Sequence, residues 1–332
     1  MRASVFLALS ALTACSSSSS PSSPGDSGAD SNPLDAGNGH DSASNQDSAL
    51  RDAPTSDGPA SDGPGSDGGP SDSSGPCVEK DSFFYTIDVN FLLGKFDPTT
   101  GVTTPIGTIT VSGWDGGNLG SGPQTFAVDA NGDGWIMFAP TAFNLTYLFK
   151  LDMTTAVATP TSYQPGTLVT TGMGVAWTSS AQTSDLLYAA DFNQRTVETI
   201  DRTTFASTTL GSLGSPWNTG TIGLNLAGDG NGRLFGFASN TNPPVVAELN
   251  KTDASLLSDY EVATAVGLGF NAMAVWGGYL WLFAPTSMSE TDASLGESVI
   301  KYQYSTQTAT IAYPSVTSPV TIANNVSMCP AL

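Results

Sequence analysis

The sequence predicts an all-β fold, a five-bladed β-propeller with four-stranded antiparallel blades that follows a disordered N-terminal linker. Three observations predict it: a motif that recurs five times, a strongly apolar segment before every copy, and a cysteine at each end of the repeat region. Repeats of this length with several short strands each are typical of blade arrays. The 256 residues from Cys77 to Leu332 form one domain, which is long enough to bury roughly 75% of the surface of its unfolded chain.

The recurring motif ends an alternating strand and begins a polar turn. Its copies are KFDPTT at 95–100, KLDMTT at 150–155, TIDRTT at 199–204, ELNKTD at 248–253 and KYQYST at 301–306. Their third residues, spaced by 55, 49, 49 and 53 with a mean of 51.5, are Asp97, Asp152, Asp201, Asn250 and Gln303. This spacing fits five units into the domain. An array of two-sheet sandwiches is the alternative architecture.

Each unit also contains further strand-like segments. The segment before the motif is strongly apolar: FFYTID, WIMFAP, DLLYAAD, RLFGFAS and YLWLFAP. In units two to five it follows an inner segment of small residues that suits a crowded central channel (TFAVDA, GMGVAW, IGLNLA and NAMAVW), and a Thr/Val/Ser-rich outer segment comes after the motif. The first unit lacks an inner segment, and TIANNVSMC near the C-terminus is predicted to supply it. That strand would close the ring and remove an exposed sheet edge.

The cysteine positions support a closed ring. Apart from Cys15, the chain contains only Cys77 and Cys329, one at each end of the domain. In an oxidising compartment a disulfide between them would join the two ends of the ring. It would close a loop of about 250 residues, for which the chain-entropy model gives at most about 5 kcal/mol of stabilisation. Two free thiols are the alternative.

The repeats are similar to those of bacterial β-propellers with quinoprotein-like short repeats, in which a strand ends in a Leu-Asp-x-x-Thr-Gly turn. KFDPTTG at 95–101 fits this pattern best. The resemblance extends over 77–332 and implies the architecture alone, because such repeats occur in proteins with unrelated roles. A quinone-cofactor dehydrogenase is one such role. The domain has no histidine, few cationic residues and no metal-binding constellation, so no cofactor is expected.

Residues 1–14 have the form of a bacterial lipoprotein signal peptide. Arg2 precedes an apolar stretch that is too short to span a bilayer as a mature helix. The stretch ends in Leu-Thr-Ala-Cys at 12–15, which resembles the lipobox. The resemblance implies that Cys15 becomes an acylated N-terminus that anchors the protein to a lipid bilayer. Ser16 implies sorting to the outer membrane of the cell envelope, facing the periplasm or the cell surface. A plain secretory signal is the alternative.

Residues 15–76 are predicted to form a disordered tether. They consist almost entirely of Ser, Gly, Pro, Asp, Ala and Asn, with almost nothing large and apolar to bury. Aspartate recurs every five residues from position 47 to position 72, and the tether has ten aspartates and one arginine. A self-repelling spacer of this length spans roughly 40–45 Å as a coil, and prolines lengthen it. A cation-binding repeat is the alternative.

Charge and histidine content narrow the classes of function. The formal net charge is −20, and the domain has twenty acidic and eight basic residues without a basic cluster, so no nucleic-acid partner is expected. The only histidine is His40, in the tether. The domain therefore lacks the imidazole of a Ser-His-Asp triad, a Cys–His pair or a His-rich metal site. Carboxylate chemistry, such as glycoside hydrolysis, remains open. The domain is expected to be a monomer.

The stretch VDANGDGW at 128–135 has oxygen donors at the spacing of a calcium-binding loop. Asp129, Asn131 and Asp133 match positions 1, 3 and 5 of such a loop. Positions 9 and 12 are an apolar methionine and a proline, so the loop cannot complete the coordination shell. The corresponding turn of the fourth unit, AGDGNGRLF, is aligned so that Ala227 replaces Asp129. The stretch is therefore interpreted as a hairpin turn. No metal is expected. A cation site is the alternative, with Asp129, Asn131 and Asp133 as its candidate ligands.

Connections between antiparallel strands alternate between the two faces of a propeller. The VDANGDGW-type turns and the motif turns share one face, and the remaining loops share the other. That second set combines aromatic rings with amides, which offer stacking surfaces and hydrogen bonds to a saccharide or an extended peptide. The predicted ligand-face residues are Asn90, Phe91, Trp114, Asp115, Asn118, Phe143, Asn144, Phe192, Asn193, Gln194, Trp217, Asn218 and Asn240. Structural roles, as core caps and turn formers, are the alternative.

The sequence thus favours a membrane-anchored binding or scaffold module for a glycan, a peptide or an envelope partner. The alternative is a carboxylate-based hydrolase or lyase, similar in chemistry to glycosidases or lactonases, on the same face. The carboxylates available there are Asp88, Asp115 and Asp191. A glycosidase would need two of them about 5–10 Å apart.

Overall fold

The computed structural model describes most of the C-terminal unit of the chain, Gly69–Leu332. The described residues are 77–88, 90–113, 123–138, 146–164, 170–191, 193–214, 217, 224–238, 241, 243–264, 272–284, 298–316, 320–323 and 326–332. The predicted signal peptide and tether, including Cys15, lie outside them. In the part of the chain that is described, no helix is long and apolar enough to cross a membrane.

The described strands form five sheets, which are the predicted blades. Blade 1 contains β1 (Phe84–Asp88), β2 (Leu92–Asp97), β3 (Val102–Thr108) and the C-terminal β21 (Val320–Ala323). Blade 2 contains β5 (Pro123–Val128), β6 (Gly134–Phe138), β7 (Tyr147–Leu151) and β8 (Val157–Pro160), with β4 (Thr110–Val111) outside β8. Blade 3 contains β9 (Thr170–Trp177), β10 (Asp185–Asp191), β11 (Thr196–Ile200) and β12 (Ser207–Ser212). Blade 4 contains β13 (Leu224–Gly228), β14 (Leu234–Ala238), β15 (Val245–Leu249) and β16 (Leu256–Glu261), and blade 5 contains β17 (Ala272–Trp276), β18 (Tyr279–Ala284), β19 (Ser298–Gln303) and β20 (Thr308–Tyr313).

The C-terminal strand closes the ring. β21 pairs antiparallel with β1, with Ile322 opposite Ile87, and is the inner strand of blade 1. The inner strands contact one another in the circular order β21, β5, β9, β13, β17 and back to β21. Cys77 and Cys329 form a disulfide with 5.6 Å between their Cα atoms and a sequence separation of 252 residues. The predicted five blades, the closing strand and the disulfide are all confirmed.

One strand was not predicted. The connection from blade 1 to blade 2 contributes β4, which pairs with the outer strand β8 in parallel, with Thr110 opposite Val157. Blade 2 therefore has five strands, whereas the other four sheets have four each. A two-residue strand has no periodicity of its own, so only the position of its partner reveals it.

The core consists of five clusters, one at each interface between neighbouring blades. Successive side chains of a strand point to opposite faces of its sheet, so every blade contributes to two clusters. In blade 2, Phe126, Ile136 and Phe149 face blade 1, whereas Trp135 and Met137 face blade 3. Burial on both faces explains why the second strands are continuous apolar runs instead of alternating ones.

One position of the second strand is aromatic in every blade and packs toward the next blade. It is occupied by Tyr85, Trp135, Tyr188, Phe235 and Trp281. In blades 1, 2 and 5 the residue opposite is a lysine, whose ammonium lies 6.0, 5.8 and 5.8 Å from the ring centroid. These cation–π contacts let a charged side chain cover the edge of an aromatic core.

Glycines let the inner strands of blades 3 and 4 approach closely. A Cβ added to Gly172 would lie 1.5 Å from the Leu224 carbonyl oxygen, and one added to Gly174 would lie 2.4 Å from that of Leu226. Both neighbours are backbone atoms of β13, which cannot move without shifting the whole strand. The small residues of GMGVAW are therefore required by the packing around the central channel, as predicted.

We expect Gly172→Ala to lower the free energy of unfolding by about 2–3 kcal/mol, because its methyl group would overpack a backbone–backbone contact. The matched control is Gly107→Ala in β3, where the nearest atom to an added Cβ is 3.5 Å away. The control should leave stability unchanged or slightly higher, since alanine loses less backbone entropy on folding. Urea unfolding followed by tryptophan fluorescence measures both, and equal effects would contradict the close approach of the strands.

The motif turns recur because their hydrogen bonds are local. In blade 1 the amide and the hydroxyl of Thr99 donate to Asp97 Oδ1 at 2.7 and 2.6 Å, and in blade 4 Thr252 N donates to Asn250 Oδ1 at 3.0 Å. In blade 2 the fully exposed Asp152 accepts from Thr154, whose hydroxyl and amide lower the pKa of the carboxyl to about 2. Asp and Asn serve equally well because both provide the side-chain oxygen of an Asx turn.

The residue four positions after this Asx position has a positive φ in every blade. The five residues are Gly101, Ala156, Phe205, Ala254 and Gln307, with φ of 72, 58, 58, 61 and 54°. Only the first copy has the glycine that favours this left-handed conformation. The other four turns therefore hold a side chain in a conformation that costs roughly 1–2 kcal/mol.

We expect Gln307→Gly to raise the free energy of unfolding by about 0.5–1 kcal/mol, because it relieves the left-handed strain at an exposed position. Thr306→Gly is the matched control, at a neighbouring exposed residue whose φ is not positive. It should destabilise, since glycine there adds only unfolded-state entropy. A fall in the thermal midpoint of both variants would contradict the assignment of strain to position 307.

Candidate functional site

The propeller has two faces that differ in their connections. The turn face carries the connections from first to second strand and from third to fourth strand in the blades. The loop face carries the connections from second to third strand and between blades. The predicted ligand-face residues belong to the loop face.

Two of the predicted loop-face carboxylates hold their own loops. Asp88 is 8% exposed, and its Oδ1 accepts hydrogen bonds from Asn90 N at 2.8 Å and Leu92 N at 2.9 Å. Asp191 is 2% exposed, and its Oδ1 accepts two amides of its own loop at 2.7 and 2.6 Å. The two residues belong to blades 1 and 3, with blade 2 between them. The structure therefore does not bring them together as an acid–base pair.

Each of these loops passes through a residue with positive φ. In blade 1 it is Phe91 at 61°, and in blade 3 it is Arg195 at 55°. The carbonyl oxygens of both accept an amide that follows the outer strand, from Ile109 at 2.9 Å and Leu213 at 2.8 Å. Phe91 is 38% exposed, so this turn presents an aromatic side chain on the loop face.

The structure separates the other predicted ligand-face residues. Asn90, Asn193 and Gln194 are exposed. Trp217 is 0% exposed and packs between blades 3 and 4, against Gly236 of β14. It fills the space that the missing side chain of this glycine leaves, so its ring is a core element with no face open for stacking. The predicted residues outside the described part of the chain are Trp114, Asp115, Asn118, Phe143, Asn144, Phe192, Asn218 and Asn240.

On the turn face, Asp129 uses both carboxylate oxygens for protein donors. It is 4% exposed, and its Oδ1 accepts Asn131 N at 2.9 Å and Asp133 N at 3.0 Å. Its Oδ2 accepts Trp135 Nε1 at 3.0 Å and Arg202 Nη1 at 2.6 Å. The guanidinium already neutralises this carboxylate, so the hydrogen bonds are those of a hairpin turn and an ion pair.

Arg202 joins blade 2 to blade 3. It comes from the motif turn of blade 3 and also binds the carboxylate of Asp185, while Ala130 N donates to Asp185 Oδ2 at 3.0 Å. The third fallback metal candidate, Asp133, pairs instead with Lys150 at 2.8 Å. Among the described residues, no group of three or more His, Cys, Asp and Glu side chains is placed to hold a metal ion.

The turn of the fourth blade is the same as that of the second, which corrects the sequence alignment. The residue equivalent to Asp129 is Asp229, not Ala227, because Asn231 N and Arg233 N donate to Asp229 Oδ1 at 3.1 and 2.8 Å. The glycine at the fourth position has a positive φ in both turns. The alignment was shifted by two residues because both segments are rich in Gly and Asx, so composition alone does not fix the register.

The C-terminal segment 326–332 lies across the channel mouth on the turn face. Its backbone or side chains bind the ends of inner strands in blades 2, 3 and 4: Val326 N to Val128 O at 3.2 Å, Trp177 Nε1 to Ser327 O at 2.9 Å, and Ser327 N to Gly228 O at 3.4 Å. Leu332 N donates to Gly278 O of blade 5 at 2.7 Å. The segment therefore covers the mouth from one side of the ring to the other.

Glu79 fastens this segment to the start of the domain. Its Oε2 accepts Met328 N at 2.8 Å, its Oε1 accepts Gly277 N at 2.8 Å, and the Ser327 hydroxyl also donates to Oε1. One carboxylate thus joins the N-terminal segment, blade 5 and the C-terminal segment beside the disulfide.

A cleft of about 740 Å³ lies between the outer part of blade 2 and the motif turn of blade 3. Its apolar lining comes from Leu151, Met153, Val157 and Pro160 of blade 2 and from Phe205 of blade 3. Leu151 and Met153 are themselves buried in the cluster between blades 1 and 2. Its polar lining residues are Asp133, Lys150, Asp152, Thr154, Thr159, Thr161 and Ser162. Ligand sites of this size usually combine an apolar surface with a few polar groups, as this cleft does.

Sequence reasoning missed Phe205, Glu79 and the cleft. Glu79 acquires its role from residues about 200–250 positions away in sequence, which no local pattern indicates. Phe205 did leave a signal: it occupies the fifth position of the motif turn, counted from the Asx residue, where the other blades have Gly, Ala or Gln. An aromatic residue at a position that favours glycine is a signal that its side chain has a packing or binding role, and the Phe205 ring packs against the core cluster between blades 2 and 3.

No family model matches the sequence, and no curated protein matches it. Among solved structures, the chain is similar to hydrazine synthase of Kuenenia stuttgartiensis, with 12% identity, 72% of this chain and 68% of that chain covered, and a TM-score of 0.38. It is similar to a luciferin-regenerating enzyme, with 14% identity, coverage of 74% and 100%, and a TM-score of 0.41. It is also similar to a chain of a nidogen–laminin complex, with 16% identity, coverage of 75% and 81%, and a TM-score of 0.43. The assignment of the fold rests on the strand pairing described above.

Proposed function

We propose that this protein is a binding module of the bacterial cell envelope. Acylated Cys15 anchors it to the outer membrane, the tether 15–76 holds the propeller away from the lipid, and the propeller binds a glycan, a peptide or an envelope protein. The propeller has the geometry of a rigid platform, because its ring is closed by a strand and a disulfide.

One observation carries the choice of binding over catalysis. The four buried aspartates in the described part of the chain, Asp88, Asp129, Asp191 and Asp229, all accept backbone amides, and two of them also bind arginine. A catalytic carboxylate must be within reach of a substrate and exchange a proton. These carboxylates are instead committed to holding turns. The two carboxylates that line the cleft are also engaged, Asp133 by the ammonium of Lys150 and Asp152 by the amide of Thr154.

The anchoring is tested with Cys15→Ala in the full-length chain. Wild-type protein should partition into the membrane fraction and incorporate an alkyne-labelled palmitate, because two or more acyl chains hold a protein on a bilayer. The variant should be unlabelled and should leave that fraction. Label-free wild-type protein would contradict the lipid anchor without affecting the proposal for the propeller.

The binding role is tested by sedimentation of the full-length Cys15→Ala variant, which lacks the proposed lipid anchor, with isolated peptidoglycan sacculi and, separately, with outer-membrane vesicles that retain their proteins. Saturable co-sedimentation with either supports the proposal. Release of soluble sugar or of new reducing ends during the incubation would favour the hydrolase alternative. Absence of both binding and product would reject the proposed role.

A further inference from the structure

We propose that the cleft between blades 2 and 3 binds a neutral saccharide, with the Phe205 ring as the stacking surface. This inference rests on the proposed binding role and names a site and a ligand class for it. It places the site at the outer part of blades 2 and 3, and none of the loop-face residues that the sequence suggested lines it.

The first argument is the backbone of Phe205. It has a φ of 58°, and its amide donates to Asp201 O at 2.7 Å, as in the equivalent turns. A bulky residue in the left-handed region is rare, and an outlier of this kind is a reason to look for a role of its side chain. The equivalent positions of the other blades carry Gly, Ala, Ala and Gln, so the turn itself does not require a ring.

The second argument is the position of the ring. Phe205 is half-buried, and its centroid lies 6.4 Å from that of Trp135 across the blade interface. One part of the ring is thus held by a core aromatic residue while another part lines the cleft. A ring fixed in this way loses little conformational entropy when a ligand stacks on it.

The third argument is the set of polar groups around the ring. Lys150 and Asp133 form an ion pair at 2.8 Å with side chains 51% and 43% exposed, and the lysine ammonium also lies 5.8 Å from the Trp135 centroid. An ammonium has three donors and a carboxylate about four acceptor sites, so both retain capacity for a ligand. Thr159 and Ser162 add exposed hydroxyl groups on the rim.

The charge of the protein selects the ligand class. The chain carries a net charge of −20, and the charged residues that line the cleft, Lys150, Asp133 and Asp152, give it a net charge of −1. Polyanions such as nucleic acids or acidic polysaccharides are repelled by this field. A neutral saccharide avoids that repulsion, because its hydroxyl groups bond to paired charges and its C–H face stacks on an aromatic ring.

The test is isothermal titration of the full-length protein with three neutral probes: cellohexaose, maltohexaose and the hexamer of N-acetylglucosamine. At least one should bind, and Phe205→Gly should weaken that binding at least tenfold. Gln307→Gly is the matched control, since it makes the same change at the equivalent turn position in blade 5 and should bind as the wild type does. Asp133→Asn, at an exposed residue, should weaken binding several-fold and carries the test if Phe205→Gly fails to fold.

The outcomes separate the inference from the proposed role. If a probe binds and Phe91→Gly abolishes binding while Phe205→Gly does not, the site is on the loop face and the inference is overturned, although the binding role stands. If no probe binds, or if an uncharged peptide binds in the cleft instead, the saccharide assignment is overturned. In that case the sedimentation experiment still decides the binding role by itself.

Discussion

Replacement of both Cys77 and Cys329 by alanine is expected to lower the free energy of unfolding by about 3–5 kcal/mol, one of the two largest effects predicted for this chain. The disulfide links residues separated by 252 positions and so restricts nearly the whole unfolded domain. Urea unfolding followed by tryptophan fluorescence measures the loss. The m-value should also rise, because the uncrosslinked unfolded chain exposes more surface.

The expected loss of stability has two sources, the missing cross-link and the weaker attachment of the C-terminal segment, and a control variant separates them. Cys329 is 0% exposed in the segment that covers the channel mouth, and Glu79 holds the same segment through backbone and hydroxyl hydrogen bonds. Glu79→Ala in the oxidised protein removes those hydrogen bonds and keeps the covalent link, so it should cost less, about 1–3 kcal/mol. A loss below about 1 kcal/mol in the variant without Cys77 and Cys329 would contradict the view that the disulfide limits the unfolded ensemble.

Asp229→Ala is expected to cost about 3–5 kcal/mol, because it leaves a partly buried guanidinium without its counter-charge. Asp229 is 0% exposed, and its Oδ2 accepts Arg233 Nε and Ala331 N, each at 2.8 Å. Its Oδ1 also holds two amides of the turn. The substitution therefore disrupts the hairpin of blade 4 and the attachment of the C-terminal segment together.

The matched control for this change is Asp133→Ala. Asp133 also pairs with a cation at 2.8 Å, but both side chains are about half exposed, so its loss should cost less than about 1 kcal/mol. The difference between the two variants in thermal or urea unfolding measures the effect of burial. Equal losses from the two would show that the contacts of Asp229 with the C-terminal segment contribute little.

The order of the strands in each blade could be predicted from the sequence because the signals that define it are local. The hydrogen bonds of an Asx turn join residues two or three positions apart, as at Asp97 and Asn250. The same residue types therefore recur wherever a third strand ends. The apolar second strands likewise follow from burial on both sheet faces. Five copies of such local signals fixed the blade number and the position of the closing strand.

The candidate site was less readable because its residues acquire their roles from distant partners. The burial of Trp217 depends on Gly236 in another strand, and the ion pair of Asp129 depends on Arg202 in the next blade. A sequence records that an aromatic or acidic residue is present, but its exposure depends on what packs on it. Phe205 is an intermediate case. Its position in the turn could be recognised from the sequence, whereas the cleft that it lines depends on residues of blade 2.

The sequence by itself determined a ring of five blades joined at its ends, because short-range hydrogen bonds, residue periodicity and two cysteines specify these features directly. Only the tertiary structure decided which carboxylates accept hydrogen bonds from distant residues, which aromatic rings are buried and where a cleft opens, as at Asp229, Trp217 and Phe205. The physical reason is that desolvation and hydrogen-bond satisfaction are properties of a side chain's surroundings, and in this fold those surroundings come from neighbouring blades and from the C-terminal segment.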